Sequence, residues 1–215
     1  MNIELIHSTI KTVINQFRRK PDNFFNEHDF HQYCYHVFYR KKEFSKQYET
    51  LDEKKTNVLH PEYPTLERFR RKPIGRVDST GVRARYDMVI LNPDLIEKNE
   101  LETIRCRDIS KAETDSETKN IFAALEFKFI IRHSLNYLDE IKFDHLKLKH
   151  AREVEHKYIL VFTNTSERKI EYFEDLRLGN GIKAVYVAPN KLGRKKLEVK
   201  EYPMGWLYGR NGDEI

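Results

Sequence analysis

The chain has 215 residues, of which 39% are hydrophobic and 34% are charged. This length is enough for one well-buried domain, and the composition is polar for a globular protein without being that of a disordered one. The formal net charge of +5 at pH 7 favours a polyanionic partner such as nucleic acid, although many ordinary proteins are equally basic.

The sequence lacks the usual signals for export or membrane insertion. No apolar run reaches the roughly 18 to 20 residues of a membrane span, and the first twenty residues do not have the layout of a signal peptide. The only two cysteines, Cys34 and Cys106, form no C-x-x-C pair, which is typical of a reducing compartment. We therefore expect a cytoplasmic, non-secreted protein with no membrane contact.

Two helices are predicted at the N-terminus. Apolar residues at helical spacing predict the first over residues 3–18, inside an N-terminal helical segment 1–20, and Pro21 ends it. The second is predicted over 27–41, with Asn26 as N-cap and Asp29 as the acid of a capping box.

Strands and helices then alternate, which predicts an α/β fold with a central mixed sheet flanked by helices. Residues 92–119 are polar without clear periodicity, so we expect an insertion with partial structure. The whole chain, 1–215, is expected to form a single domain in the order ααβββαβαβ. The predicted strands are 59–66, 83–91, 121–131, 158–164 and 182–188, with strand-like KLEVKEYP in the tail, and the later helices are 138–154 and 166–178.

The most apolar segment, 121–131, is interrupted only by Glu126 and Lys128. Side chains two positions apart on a strand share a face, so an acid and an amine project together from an apolar strand. Burying either charge alone would cost several kcal/mol. The alternative is that both sit at a sheet end in water, or pair with charges on neighbouring elements.

Asp87, in the preceding strand, also leads into an apolar run, so a second carboxylate is expected to meet Glu126. Two carboxylates about 4 Å apart repel by roughly 4 kcal/mol at an effective dielectric near 20, so they need a shared proton or a cation. Oxygen ligands favour Mg²⁺ or Mn²⁺. Lys128 would then orient or help deprotonate a metal-bound water.

The spacing D87…E126-F-K128, on adjacent strands after a helix, resembles the PD-(D/E)XK nuclease superfamily, which has the restriction-endonuclease-like fold. The resemblance spans roughly residues 24–190, although Tyr86 stands where the motif has proline. It implies that Asp87, Glu126 and the Phe127 carbonyl bind the divalent metal and that Lys128 assists the attacking water. The implied activity is metal-dependent hydrolysis of phosphodiester bonds in nucleic acid, with DNA as the expected substrate and RNA left open.

The resemblance extends to further residues. Glu27, on the inward edge of the second helix, looks like the glutamate that completes the metal shell directly or through water, although an acid is also favoured there by the helix dipole. Glu62 is a weaker, structural candidate. Asp144 and Lys147 form a D-x-x-K-L pattern that supports the site or meets the nucleic acid backbone in relatives; surface placement is the equal alternative.

A basic strip follows the first strand and is expected to grip the phosphate backbone. Its members are Arg70, Arg71, Lys72, Arg76, Arg83 and Arg85.

Other readings stay open. The fold would also suit a catalytically silent nucleic-acid-binding or scaffolding module, or a sheet whose charges form a structural network. His28, His31 and Cys34 follow at three-residue spacing, but no second cluster completes a four-ligand zinc site. The sequence leaves a homodimer open.

Overall fold

Regular structure covers most of the chain that the computed structural model describes, which is residues 1–70, 76–107, 119–131, 136–163, 181–192 and 196–203. The helices are α1 (Ile3–Arg19), α2 (Glu27–Tyr39), α3 (Lys42–Ser45), α4 (Pro93–Glu97) and α5 (Asn136–His150), with short turns at Pro21–Asn23 and Thr103–Arg107. The strands are β1 (Gln47–Glu49), β2 (Lys55–Asn57), β3 (Leu59–Arg70), β4 (Arg76–Val77), β5 (Val82–Leu91), β6 (Ile121–Ile130), β7 (Val154–Thr163), β8 (Ile182–Leu192) and β9 (Lys196–Pro203).

The described strands other than β1 and β2 form one mixed sheet in the order β4-β3-β5-β6-β7-β8-β9. Neighbours from β4 to β6 are antiparallel, β6, β7 and β8 run parallel, and β9 returns antiparallel to β8. The helix α5 connects the parallel strands β6 and β7, as such a crossover requires. The predicted mixed α/β sheet flanked by helices is confirmed.

The apolar strand β6 lies in the middle of the sheet, and its two faces meet different helices. Phe127 contacts Phe30 of α2, with ring centroids 6.3 Å apart. Glu126, the residue before Phe127 on the same strand, contacts Lys147 of α5. Because successive residues of a strand point to opposite faces, α2 and α5 cover opposite faces of the sheet.

The start of α2 is held by the predicted N-cap Asn26 and by Asp29, whose side chain binds the amide before the cap and not the cap amide itself. The Asp29 amide donates a hydrogen bond to Asn26 Oδ1 at 2.8 Å, and the Phe25 amide donates to Asp29 Oδ2 at 3.2 Å. These bonds satisfy backbone donors that the first helical turn leaves open. They also make Glu27 the first residue of the helix.

The pairing between β5 and β6 stops before β6 ends. The register runs from Leu91–Ile121 to Met88–Leu125, and no pair is recorded beyond it in the described residues. Continuing that register by one step places Asp87 opposite Glu126. The pairing of the two strands therefore ends beside the charged residues Asp87 and Glu126.

Several predicted bounds differ from those of the structure. The helix predicted to reach residue 154 ends at His150, because Val154 pairs with Ile121 and so begins the parallel strand β7. The segment 92–119 was expected to be a polar insertion, but three of its residues, Leu95, Ile96 and Ile104, are buried in the core. The strand-like KLEVKEYP segment is confirmed as β9, and the predicted helix 166–178 lies outside the described residues.

In the part of the chain that the structure describes, no helix combines the length and apolar character needed to cross a bilayer.

The core role of α2 gives a first prediction. Phe30 is fully buried among aromatic rings, whereas Phe25, five residues earlier, is 82% exposed. We expect Phe30→Ala to lower the free energy of unfolding by about 3–5 kcal/mol, because it leaves a cavity. Phe25→Ala is the matched control and should change it by no more than about 0.5 kcal/mol. Urea unfolding followed by circular dichroism measures both, and equal losses would contradict this packing.

Candidate active site

The backbone of β6 beyond the last β5 pair is satisfied by side chains. The Phe127 amide donates to Asp87 Oδ2 at 2.7 Å, and the Phe129 amide donates to Glu27 Oε2 at 3.4 Å. The Phe127 carbonyl oxygen lies 3.2 Å from His31 Nε2. Unpaired backbone groups near the core need such partners. Asp87, Glu27 and His31 therefore all contact the same short stretch of β6, from Phe127 to Phe129.

Lys128 forms ion pairs with residues of both α2 and α5. Its Nζ lies 3.1 Å from Glu27 Oε1 on α2 and 3.3 Å from Asp144 Oδ2 on α5. Burial acts to lower the pKa of Lys128, but the carboxylates of Asp144 and Glu27 outweigh it and raise the pKa above its ordinary value. Lys128 is thus an ammonium donor in this arrangement. This geometry does not favour the predicted role of Lys128 in deprotonating a water.

Glu126 is fully buried, and its counter-ion comes from α5. Its Oε1 lies 2.8 Å from Lys147 Nζ, while its buried Oε2 has no hydrogen-bond partner among the described residues. Burial raises the pKa of Glu126 well above its ordinary value, against the effect of Lys147, and the carboxylates of Asp144 and Asp87 raise it further. Asp87 thus lies close enough to Glu126 for its carboxylate to raise the pKa of Glu126.

Asp144 and Lys147 are buried, so the surface placement left open for them is wrong. Lys147 Nζ lies 2.8 Å from Asp144 Oδ1 and donates to the Arg85 carbonyl at 2.8 Å. Burial alone would lower the pKa of Lys147, but Glu126 and Asp144 raise it above its ordinary value. With Glu27, Glu126 and Lys128, these two residues form a chain of alternating charges that we call the charge network.

A groove of about 610 Å³ opens over the charge network. Glu126 does not line it, although Lys147, which contacts Glu126, does. The ionisable groups that line it are Glu27, Glu62, Asp87, Asp139, Glu140, Asp144, Arg83, Arg85, Lys128 and Lys147. Six acids against four bases leave this wall acidic, so a phosphate would meet repulsion here unless a further cation were present.

The peripheral candidates are only partly brought together. Glu62 is inside β3 with a positive φ of 54°, and its Oε2 lies 3.8 Å from Arg85 NH1 at the groove wall. Arg83 also lines the groove. Arg70 instead pairs with Asp78 at 3.0 Å. The remaining basic positions, Arg71, Lys72 and the side chain of Arg76, lie outside the described residues.

Sequence reasoning missed the position of His31. The zinc pattern that included it does not form one face, because His28 is exposed and Cys34 is fully buried. The signal that would have found His31 is its spacing from Glu27. Residues four apart on a helix are neighbours on the surface, so both side chains of α2 reach the same point of β6.

Within the described residues, no group of three or more His, Cys, Asp or Glu side chains is placed so that it could hold a metal ion. The carboxylates are instead occupied by lysines and backbone amides. Comparisons with protein-family models, curated proteins and solved structures gave no match.

The buried ion pair gives a second prediction. Lys147→Met should lower the free energy of unfolding by about 3–5 kcal/mol, because it leaves the buried Glu126 carboxylate without its counter-ion. Adding Glu126→Gln should recover most of that loss, since a neutral amide needs no cation. Lys142→Met, at an exposed position of α5, is the control. Urea unfolding of the four proteins tests this, and a Lys147 variant as stable as the Lys142 variant would refute it.

Proposed function

We propose that this chain is a metal-dependent nuclease of the PD-(D/E)XK type, which hydrolyses phosphodiester bonds in DNA rather than RNA by means of a metal-activated water. The observation that carries the proposal is the parting of β5 and β6. At that point Asp87, Glu126 and Lys128 come from adjacent strands, and Glu27 reaches them from α2.

The order of elements supports the same proposal. From α2 onwards, the long elements are a helix, the antiparallel strands β3, β5 and β6, the helix α5 and the parallel strand β7. This is the core arrangement expected of the restriction-endonuclease-like fold. The charged residues lie on α2, β5 and β6 of this arrangement, which supports the proposal, although fold alone does not establish an activity.

The donor set fits a hard divalent cation. Asp87, Glu126, Glu27 and the Phe127 carbonyl offer only oxygen atoms, which suit Mg²⁺ or Mn²⁺. The buried Glu126 Oε2 lacks a hydrogen-bond partner in the described part of the chain, as Asp144 Oδ2 does, and a bound ion would give such an oxygen a partner. When bound, the ion would lower the pKa of a water and stabilise the charge of the phosphate.

Side chains of the protein itself would position the attacking water, the phosphate and the metal ligands. Lys128, kept protonated by Asp144 and Glu27, would donate hydrogen bonds to the attacking water or to a phosphate oxygen. Lys147 would orient Glu126 through the 2.8 Å ion pair and oppose the rise in the pKa of Glu126 that burial causes. Asp144 contacts both lysines and so positions the two ammonium groups relative to each other.

The second candidate is a catalytically silent nucleic-acid-binding or scaffolding module of the same fold. One observation favours it: each network carboxylate already has a lysine or amide partner, so the buried charges would also serve as a structural network. Under this reading, the site needs no divalent ion. A cytoplasmic location and a homodimer remain parts of the proposal for either function.

Cleavage of DNA gives the third prediction. We expect the protein to cut DNA with Mg²⁺ or Mn²⁺ and to lose activity with a chelator. Asp87→Asn should abolish cutting because it removes an anionic ligand, and Lys128→Ala should slow it about 10²–10⁴-fold. Asp94→Asn, on α4 and away from the groove lining, is the matched control and should retain full activity.

The measurement is single-turnover cleavage of labelled DNA, with DNA binding measured in Ca²⁺ for each variant. Loss of activity with binding and folding retained supports catalysis at this site. Wild-type protein that binds DNA tightly but never cuts, with no response to divalent ions, would favour the silent module.

The salt dependence of DNA binding gives a fourth prediction. Arg85 lines the groove and its side chain is 65% exposed, so it is available to a phosphate. Each phosphate contact contributes about 0.9 to the slope of log affinity against log salt concentration. Arg85→Ala should therefore reduce the slope by about that amount, measured by fluorescence anisotropy. Lys98→Ala is the control and should leave the slope unchanged, because Lys98 lies at the end of α4 and does not line the groove.

A further inference from the structure

A second cavity, of about 240 Å³, adjoins the groove. Asp87 and Glu62 line both spaces, so a ligand that lies in the groove beside Asp87 can extend into this cavity. Pockets for drug-sized ligands commonly hold about 300–1,000 Å³, so the cavity suits a smaller group. The charge network and the proposed reaction make no use of it.

Apolar residues from four elements form much of the cavity wall: Tyr35 of α2, Pro61 of β3, Met88 of β5 and Phe127 of β6. Met88 and Phe127 belong to the buried core. The ring of Tyr35 is stacked on that of Tyr39, with the centroids 5.8 Å apart. The wall is therefore held in place by packing, and it offers apolar and aromatic surface to a planar ring.

The polar groups of the cavity disfavour a phosphate and suit a base with an amino group. The described residues that line it include no lysine or arginine, and the carboxylates of Asp87 and Glu62 repel an anion. Carboxylates accept hydrogen bonds from exocyclic amino groups, and a glutamine amide can pair with both the amino group and a ring nitrogen of adenine. Gln32 supplies such an amide. Thymine and uracil have no exocyclic amino group.

One side of α2 faces the cavity. The residues at the spacing i, i+3, i+4 and i+7 share one side of a helix. In α2 they are His28, His31, Gln32 and Tyr35, and all four line the cavity. The sequence thus places polar and aromatic side chains on this side, while the apolar residues of α2 enter the core.

Glu62 lies at the boundary between the cavity and the groove. The pairs of β3 and β5 on either side of it are in register, and that register sets Glu62 opposite Asp87. Glu62 nevertheless has a positive φ of 54°. Such a conformation is unfavourable for a residue other than glycine, and these conformations cluster at ligand sites. The strained position is thus the one shared by both spaces.

We propose that the cavity binds one unstacked nucleobase that carries an exocyclic amino group, adenine above all, beside a phosphate in the groove. The inference rests on the proposed function, because one strand supplies both the phosphate and the base. Gln32 and Glu62 bind the edge of the base that carries the amino group, and Tyr35 packs against its ring. A base must leave the stack to enter, so the site favours single-stranded over paired substrate at this point.

Methyl NMR of the methionines tests occupancy of the cavity without turnover or a metal ion. The chain has three methionines, of which Met88 lines the cavity and Met1 does not. Deoxyadenosine, which has no phosphate, should shift the Met88 resonance through the ring current of its base and leave the Met1 resonance unchanged. The dissociation constant for thymidine should be about five-fold or more above that for deoxyadenosine.

Two variants at one exposed position test whether the base lies in the cavity. Gln32→Ala should remove most of the preference for deoxyadenosine, and Gln32→Trp should fill the cavity and abolish the Met88 shift. His36→Ala, at an exposed position of the same helix outside the cavity lining, is the matched control and should keep both. A Gln32→Trp protein that responds like the wild type would overturn the site, as would equal affinities of the wild type for the two nucleosides.

The failure of this inference is distinguishable from that of the proposed function. A wild-type protein that cuts DNA but whose Met88 resonance responds to neither deoxyadenosine nor a single-stranded oligo(dA) would overturn the base site and leave the nuclease proposal standing. A protein whose Met88 resonance responds to deoxyadenosine, but which never cuts with Mg²⁺ or Mn²⁺, would support the base site and overturn the nuclease proposal.

Discussion

The rest of the site depends on the buried ion pair between Glu126 and Lys147. A carboxylate in the middle of an apolar strand, with no exposed surface, is stable only if a cation is supplied within the protein. The helix α5 must therefore dock with Lys147 directed at β6. That requirement fixes which face of α5 meets the sheet and brings Asp144, three residues earlier, to Lys128. A charge that would otherwise destabilise the core thus determines the packing of a whole helix.

A second constraint acts on the backbone. Because β5 stops pairing with β6 at Met88–Leu125, the following amides of β6 must find other acceptors. Asp87 and Glu27 supply them, so the same carboxylates that complete the sheet edge also stand where a cation would be held. If the proposed function holds, structural and catalytic roles are coupled in these residues. Binding of a divalent ion would have to compete with lysines and amides that already neutralise the carboxylates.

The wall of the groove is acidic even though lysines lie along it. Lysine ammonium groups neutralise some of the carboxylates, but the ionisable groups along the wall are six acids and four bases, so acids stay in excess. A phosphate ester would approach such a wall only with additional positive charge, whether from an ion or from flanking arginines such as Arg85. The arrangement thus favours a metal ion as part of the substrate site. Under the proposed function, Arg83 and Arg85 of the basic strip, which line the groove, would add affinity for the nucleic acid backbone.

The sequence by itself determined the helices, the apolar strand with its two charges and the N-cap of α2, because periodicity, propensity and side-chain capping are local properties. It also indicated that Asp87, Glu126 and Lys128 share one region, since strand alternation is local too. Only the tertiary structure decided that Lys147 is buried against Glu126 and that His31 faces Asp87. Those contacts join residues that are tens of positions apart, and their geometry depends on where two strands part and how α5 docks, which no local pattern encodes.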